Sequence, residues 1–145
     1  MDIKQLQGPT DAHLIDIPFV NAQGATITSG LPVAFATGAN SNDGIKAVLP
    51  ATGNALTFAG ICVQTTPNNM VGRVRASGYV ASIAIYAHGT SVTTGAGVAM
   101  GPAAGSLGVS STGLKDVFGP VVSMEAIGAL VHSAGGYAKG FVRAC

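Results

Sequence analysis

The sequence predicts an all-β protein: a small β-barrel or sandwich built from two duplicated β-units, preceded by an extended N-terminal arm. Three observations carry the prediction. Apolar runs are short, rich in β-branched residues, and bounded by Gly, Asn, Ser and Pro at strand-and-turn intervals. The chain also repeats itself. Ile27-Thr28-Ser29-Gly30-Leu31-Pro32-Val33-Ala34-Phe35 returns 65 positions on as Val92-Thr93-Thr94-Gly95-Ala96-Gly97-Val98-Ala99-Met100. Gly44-Ile45-Lys46-Ala47-Val48 answers to Gly113-Leu114-Lys115-Asp116-Val117 at an offset of 69, and Gly60-Ile61-Cys62-Val63 with Gly72 to Ser77 answers to Gly128 to Val131 with Gly140 to Cys145 at an offset of 68. Finally, the recurring elements are apolar framework, glycine and turn chemistry, without a repeated acid, base or metal ligand.

Residues 1–23 lie outside the repeat and form the expected arm, with Asp2, Lys4, Asp11, His13 and Asp16 and prolines at Pro9 and Pro18. Within it, Leu14 to Val20 can make a short strand. Pro18 has no ladder donor, so this strand reads either as a partner-docking segment or as the first edge strand of the same barrel. The β domain follows over 24–145, with units at about 24–88 and 89–145. Gly30 and Gly95 supply turns in which glycine takes positive φ before a strand enters the core. Loops are expected at 36–44 and 101–113, where Gly, Ala, Ser and Asn leave little hydrophobic content. Leu56 to Val63 and Arg73 to Val80 read as paired strands joined through Thr65-Thr66-Pro67-Asn68-Asn69. In the second of these, alternation turns Val74 inward and Arg73 and Arg75 outward. Ile83 and Ile85 alternate with small residues, so Tyr79 to Ala87 reads as strand despite its alanines. The second-unit counterparts are Met124 to Val131 and Gly140 to Ala144, joined through Ser133 to Gly136.

At 145 residues the chain fits one domain and buries about 68–70% of its unfolded surface, enough to fold without a metal, cofactor or disulfide. Charged residues are only 9%, against about 25% in ordinary soluble domains, while 48% are hydrophobic and 21 are glycine. So sparse a charge predicts a surface covered in large part by partner subunits. Net charge is +1 and no Lys/Arg run exists, which excludes the footprint of a nucleic-acid binder. The N-terminus lacks the apolar core of a signal peptide, and no apolar run approaches the ~18 residues of a membrane helix, so residence in the cytoplasm before any assembly is expected. Cys62 and Cys145 have neither metal-ligand spacing nor a secretory context; Cys62 reads as a small buried hydrophobe in a strand.

Catalytic ingredients are thin. His13, His88 and His132 are far apart, have no neighbouring acid, and show no His-x-x-x-His spacing. Half of the six acids fall in the arm, and Asp43 sits in an Asn-Asp-Gly turn. Gly95-Ala96-Gly97 opens like a dinucleotide fingerprint, yet no helix alternation and no Gly-Lys-Ser/Thr accompanies it. A hydrolase using Ser, Thr or Cys62 lacks a visibly paired base. Arg75 and Arg143, matched through the repeat, are candidates for anchoring an inter-subunit carboxylate by bidentate hydrogen bonds; solvated strand faces explain them equally well.

The pattern of a turn glycine followed by Pro-Val-Ala (Gly30 to Ala34), Asp43-Gly44-Ile45 before a strand, Ala-Gly-Ile-x-Val (Ala59 to Val63), and Val74 to Val80 with a glycine between resembles the small capsid cement or decoration proteins of tailed bacteriophages. The resemblance covers about residues 24–100, with fainter traces beyond. It implies a non-enzymatic protein on the outer face of an icosahedral virion shell, assembled in the host cytoplasm and bracing neighbouring major capsid subunits. It also implies a homo-oligomer, a trimer before a dimer. Two units in one chain and a distinct arm depart from that pattern. On this reading Leu14, Ile15, Ile17 and Phe19 extend onto a capsid subunit or neighbouring protomer by strand addition, and deleting residues 1–20 removes shell binding while the rest stays folded. A virion-fibre or surface carbohydrate-binding module is the alternative, with Tyr79, Tyr86 and Tyr137 available to stack on sugars and no tryptophan.

Overall fold

A computed structural model describes residues 14–37, 44–50, 57–87, 97–100, 107–109, 121–123 and 136–143. These contain nine strands and no α-helix: β1 (Ile15–Asn21), β2 (Pro32–Phe35), β3 (Lys46–Val48), β4 (Phe58–Cys62), β5 (Val71–Ala87), β6 (Gly97–Met100), β7 (Leu107–Val109), β8 (Val121–Ser123) and β9 (Gly136–Arg143). The fold is all-β, as the short punctuated runs predict. Strands β1, β3, β2, β4 and β5 are neighbours in that order, and β1 also pairs with β5, so five strands close a barrel. Closure gives each of these five strands two neighbours within the circuit. β1 and β3 run parallel, and the other neighbours are antiparallel.

β5 continues for 17 residues and enters a second circuit, β5–β7–β6–β8–β9, which also returns to β5. Here β5 and β7 are parallel, and β6–β7, β6–β8, β8–β9 and β5–β9 are antiparallel. The pairing scheme of the first circuit thus recurs strand for strand. The second half of β5 takes the place of β1, and β9 takes the place of the first half of β5.

This geometry refines the repeat. β2 maps onto β6 at the 65-residue offset visible in the sequence. Phe35 faces Ala47 as Met100 faces Leu107, and Asn21 faces Ala47 as Ile85 faces Leu107. Ala47 and Leu107 are therefore equivalent, 60 positions apart, and so are Asn21 and Ile85. The sequence echoes at 69 and 68 do not fall on this register. The unit boundary also moves: it lies inside β5, not between residues 88 and 89. Likewise residues 15–21, grouped with the arm by composition, are a barrel strand paired on both sides, to β3 and β5. Pro18 is tolerated because β3 reaches only Val20 and Asn21, so no ladder bond on that side is lost. The loop expected at 101–113 contains β7. Residues 1–13 and the strand expected over Met124 to Val131 lie outside the described residues.

The first core gathers Phe19, Ile27, Val33, Ala47, Ala59, Cys62 and Val74, with Ile17, Leu31, Phe35 and Leu49 packed against it. The buried residues of the second circuit include Val80, Ile83, Ile85, Val121, Ala138 and Val142. Direct opposition of Ile83 to Ala138 and of Val121 to Val142 puts them on one face. Along β5 the even residues from Gly72 to Val80 are buried, Ala81 and Ser82 are both exposed, and Ile83 and Ile85 are buried. That change of phase coincides with the register shift between Val80 and Ile83. Buried Asn21 fastens the connection after β1: its Nδ2 donates to the carbonyls of Ala25 and Thr66 at 2.8 Å each, and its Oδ1 accepts from the Gln23 amide at 2.9 Å. Among the described residues no buried side-chain nitrogen or oxygen lacks a partner.

Candidate functional site

The residues proposed for partner contact separate once the pleat is fixed. On β1, Ile17, Phe19 and Asn21 turn inward, while Pro18 is exposed and Asp16 and Val20 are half-buried. Phe19 is completely buried and Ile17 packs on the same core, so neither is a docking side chain. Leu14 is half-buried, and Ile15, at 51% exposure, is the one of the four that presents substantial surface. The strand addition expected of this segment is made within the chain itself, between β3 and β5.

Arg75 is also satisfied internally. Its Nε donates to Asp16 Oδ1 at 2.7 Å and its Nη2 to Asp16 Oδ2 at 3.0 Å, while Nη1 donates to the Tyr79 carbonyl at 2.7 Å. This bidentate fork holds the Asp16 carboxyl below its ordinary range, chiefly through the hydrogen bond from Arg75. Partial burial opposes that shift, and the charges of Arg75 and Arg73 add to it. The carboxylate for Arg75 therefore belongs to its own chain and not to a neighbouring subunit. Arg143 is placed by its backbone, opposite Ser77; its side chain lies outside the described residues. The two arginines are not structural equivalents, since Ile61 faces Arg75 where its counterpart Val122 faces Phe141.

The ion pair borders an exposed apolar face where the two barrels meet. Ser77 is flanked by Ile15 of β1 and Arg143 of β9, and Tyr79 stands directly opposite Phe141. Tyr79 is 40% exposed, Phe141 37% and Tyr137 61%. Tyr137 shares the outward face of β9, four residues or about 13 Å from Phe141. Sequence reasoning missed this pairing. Its signal was the alternation of Tyr137, Lys139 and Phe141 with Gly136, Ala138, Gly140 and Val142, a period of two with the large side chains outward.

A second apolar group surrounds Val20. Val71, its partner across β1 and β5, is exposed, as are Met70 and Ile45, whose carbonyls accept from the amides of Asn21 and Val20 at 3.0 and 2.9 Å.

Reactive chemistry is not assembled among the described residues. Cys62 is buried, donates its Sγ proton to the Gln64 carbonyl at 2.9 Å, and has its thiol pKa pushed up by burial, which disfavours the nucleophilic thiolate. No cluster of three or more His, Cys, Asp or Glu suited to a metal occurs among those residues, nor any helix long and apolar enough to cross a membrane. His13, His88, His132 and Cys145 lie outside them, as does the Tyr86 side chain. In comparisons with known proteins, no protein-family model matches the chain and no curated protein shows significant similarity to it.

Proposed function

We propose that this protein is a non-enzymatic structural component of a phage virion that binds the outer surface of the capsid and braces neighbouring major capsid subunits. The observation that carries the reading is the exposed face of Ile15, Tyr79 and Phe141 at the junction of the barrels, in a chain with only 9% charged residues. Such a face docks with little cost of desolvating ions, a cost that often cancels what buried ion pairs return. Each apolar square ångström removed from water contributes about 25 cal/mol, and a shell repeats the contact many times. The frame beneath is stiff: β1 and β5 are clamped by the Asp16–Arg75 fork, and each of the nine described strands has at least two neighbours. Of the residues expected from the sequence, Ile15 stays in the proposed contact, Ile17 and Phe19 leave it for the core, and Tyr79 and Phe141 join it.

The test is sedimentation with purified shells lacking this protein. Tyr79→Asp and Phe141→Asp are each expected to weaken binding about 10- to 100-fold, as loss of a central aromatic anchor does, with the circular dichroism unchanged. Full occupancy by both variants would remove the proposed face. Wild-type protein that never sediments with shells would remove the function.

Exposure of both Tyr79 and Tyr137 on one side of the β5–β9 ribbon favours a second reading, a carbohydrate-binding module of a virion fibre or surface. Binding on a glycan array that disappears in Tyr137→Ala would select it.

A further inference from the structure

One side chain ties the docking face together. β5 is irregular on either side of Ser77, the residue at which it exchanges β1 for β9. Ile15 faces Ser77 and Asp16 faces Arg75, so the ladder skips Ala76, and just beyond Ser77 the chain bends at Gly78, whose φ is +117°. Glycine accepts a wide range of φ, so the backbone at 78 does not by itself fix where Tyr79 points.

Arg75 supplies the missing constraint. A regular strand would put residues 75 and 79 about 13 Å apart, beyond the reach of an arginine side chain, yet Arg75 Nη1 lies 2.7 Å from the Tyr79 carbonyl oxygen. The contact exists only because the strand is bulged and bent. The same guanidinium holds both carboxylate oxygens of Asp16, the neighbour of Ile15 in β1, and the Arg75 and Asp16 side chains are only 17% and 23% exposed. So shielded and bidentate a pair keeps a defined geometry, unlike the mobile ion pairs of an open surface. Each member of the face is thus one step from this clasp: Ile15 through Asp16, Tyr79 through its carbonyl, and Phe141 through Tyr79, which it faces directly.

We infer that Arg75 is the positioning residue of this face, fixing the direction of the Tyr79 side chain relative to Ile15 and Phe141 so that the shell meets a preformed apolar surface. The inference rests on the shell-binding reading above and assigns the residue that sets the geometry of its site. Ordering Tyr79 in advance lowers the entropy lost on docking, so releasing it weakens association without removing a contact atom. Lysine cannot take over the role. It keeps the charge, but its single nitrogen lacks the planar fork that grips two carboxylate oxygens and a carbonyl together.

Two measurements test this. In free protein with isotopically labelled tyrosine rings, Arg75→Lys is expected to shift the Tyr79 magnetic-resonance signal toward that of an unfolded chain and to leave the Tyr137 signal in place; an unmoved Tyr79 signal would overturn the inference. Sedimentation with purified shells lacking this protein then compares Arg75→Lys, Tyr79→Ala and the double variant. Arg75→Lys is expected to weaken binding about tenfold, within the coupling usual for residues in contact. The double variant should bind no more weakly than Tyr79→Ala, because Arg75 acts through a ring that is already gone. Losses that multiply, or wild-type binding by Arg75→Lys, would each overturn the inference. Gly24→Ala strains the first barrel away from the clasp and should bind like wild type; an equal loss there would assign the effect to stability and overturn the inference too. Asp16→Asn, which loosens the same guanidinium, replaces Arg75→Lys if that variant fails to fold. Wild-type protein that never binds shells removes the function, and the free-protein measurement then decides on Arg75 alone.

Discussion

Gly60 is a position at which the backbone of the first barrel leaves no room for a side chain. It lies in β4 at φ +140°, and β4 runs against β5 with Ile61 opposite Arg75 and Cys62 opposite Val74. A Cβ at Gly60 would stand 2.1 Å from the Arg75 carbonyl oxygen, 2.7 Å from its carbonyl carbon and 2.9 Å from Val74 Cγ2. Ordinary contacts between such atoms are about 3.3–4 Å, so the strands must part by about 1 Å. The obstacle is backbone in a closed barrel, and rotating a side chain cannot relieve it. Holding alanine at this φ costs about 1–3 kcal/mol, and prying β4 from β5 adds overpacking strain of about 1–3 kcal/mol. Gly60→Ala is therefore expected to destabilise by about 2–6 kcal/mol, a large share of the ~5–15 kcal/mol that holds a domain folded. Gly24→Ala is the control: φ is +83° there, but no atom lies within 4 Å of the added carbon, so only the conformational cost of about 1–2 kcal/mol remains. Urea titration followed by near-ultraviolet circular dichroism compares the two, and thermal midpoints should fall by about 2–4 °C per kcal/mol. Equal losses in both variants would refute the close approach of β4 to β5.

Two further predictions address β1. Deleting residues 1–20 removes most of β1 and the buried ring of Phe19, whose loss alone costs about 3–5 kcal/mol; the first barrel should lose its near-ultraviolet dichroism, and a truncated chain with the wild-type melting temperature would count against β1 as a barrel strand. Asp16→Asn should cost about 1.5–3 kcal/mol at neutral pH, the worth of hydrogen bonds to a charged group. Because folding lowers the Asp16 pKa below its ordinary 3.8, that stabilisation is present in full above the unfolded value and is lost as pH falls through the folded one. The gap between wild type and variant in urea midpoints should close in acid, and a gap unchanged from about pH 7 to about pH 2 would refute the ion pair's contribution.

The legible parts of the fold are those encoded by local chemistry. Turn glycine Gly30, the inward Val74 between two arginines, and the repeat of β2 in β6 all follow from neighbouring residues. The rest depends on contacts distant in sequence. Pro18 argued for an edge strand or a docking segment because its missing donor is local information, whereas the shortness of β3, which lets Pro18 lie in a strand paired on both sides, is not. β7 has only three residues in a Gly- and Ser-rich stretch, too few for a period of two to register. The Asp16–Arg75 fork spans 59 positions without any local signature. Read as two strands, Arg73 to Val80 and Tyr79 to Ala87 are one, because the glycine at 78, with φ +117°, bends β5 without ending it.

The shared strand explains why a nearly uncharged chain can carry exposed apolar groups without a flexible linker between its halves. Ten strands would build two separate five-stranded circuits; here nine suffice, because the last strand of the first unit continues as the first of the second. The hinge that would otherwise join two domains is replaced by a strand hydrogen-bonded along most of its length, which fixes the outward side chains of β5 relative to those of both neighbours, β1 and β9. Ile15, Tyr79 and Phe141 are thereby held on one rigid surface before any partner arrives. Rigid presentation lowers the ordering entropy that association must overcome. The same continuity couples the units: loss of β1 or of the β4–β5 approach deprives the first half of β5 of its partners, and the second half begins where the first ends. Damage to Gly60 should therefore weaken binding through Tyr79 and Phe141 even though Gly60 lies in a different barrel from Phe141.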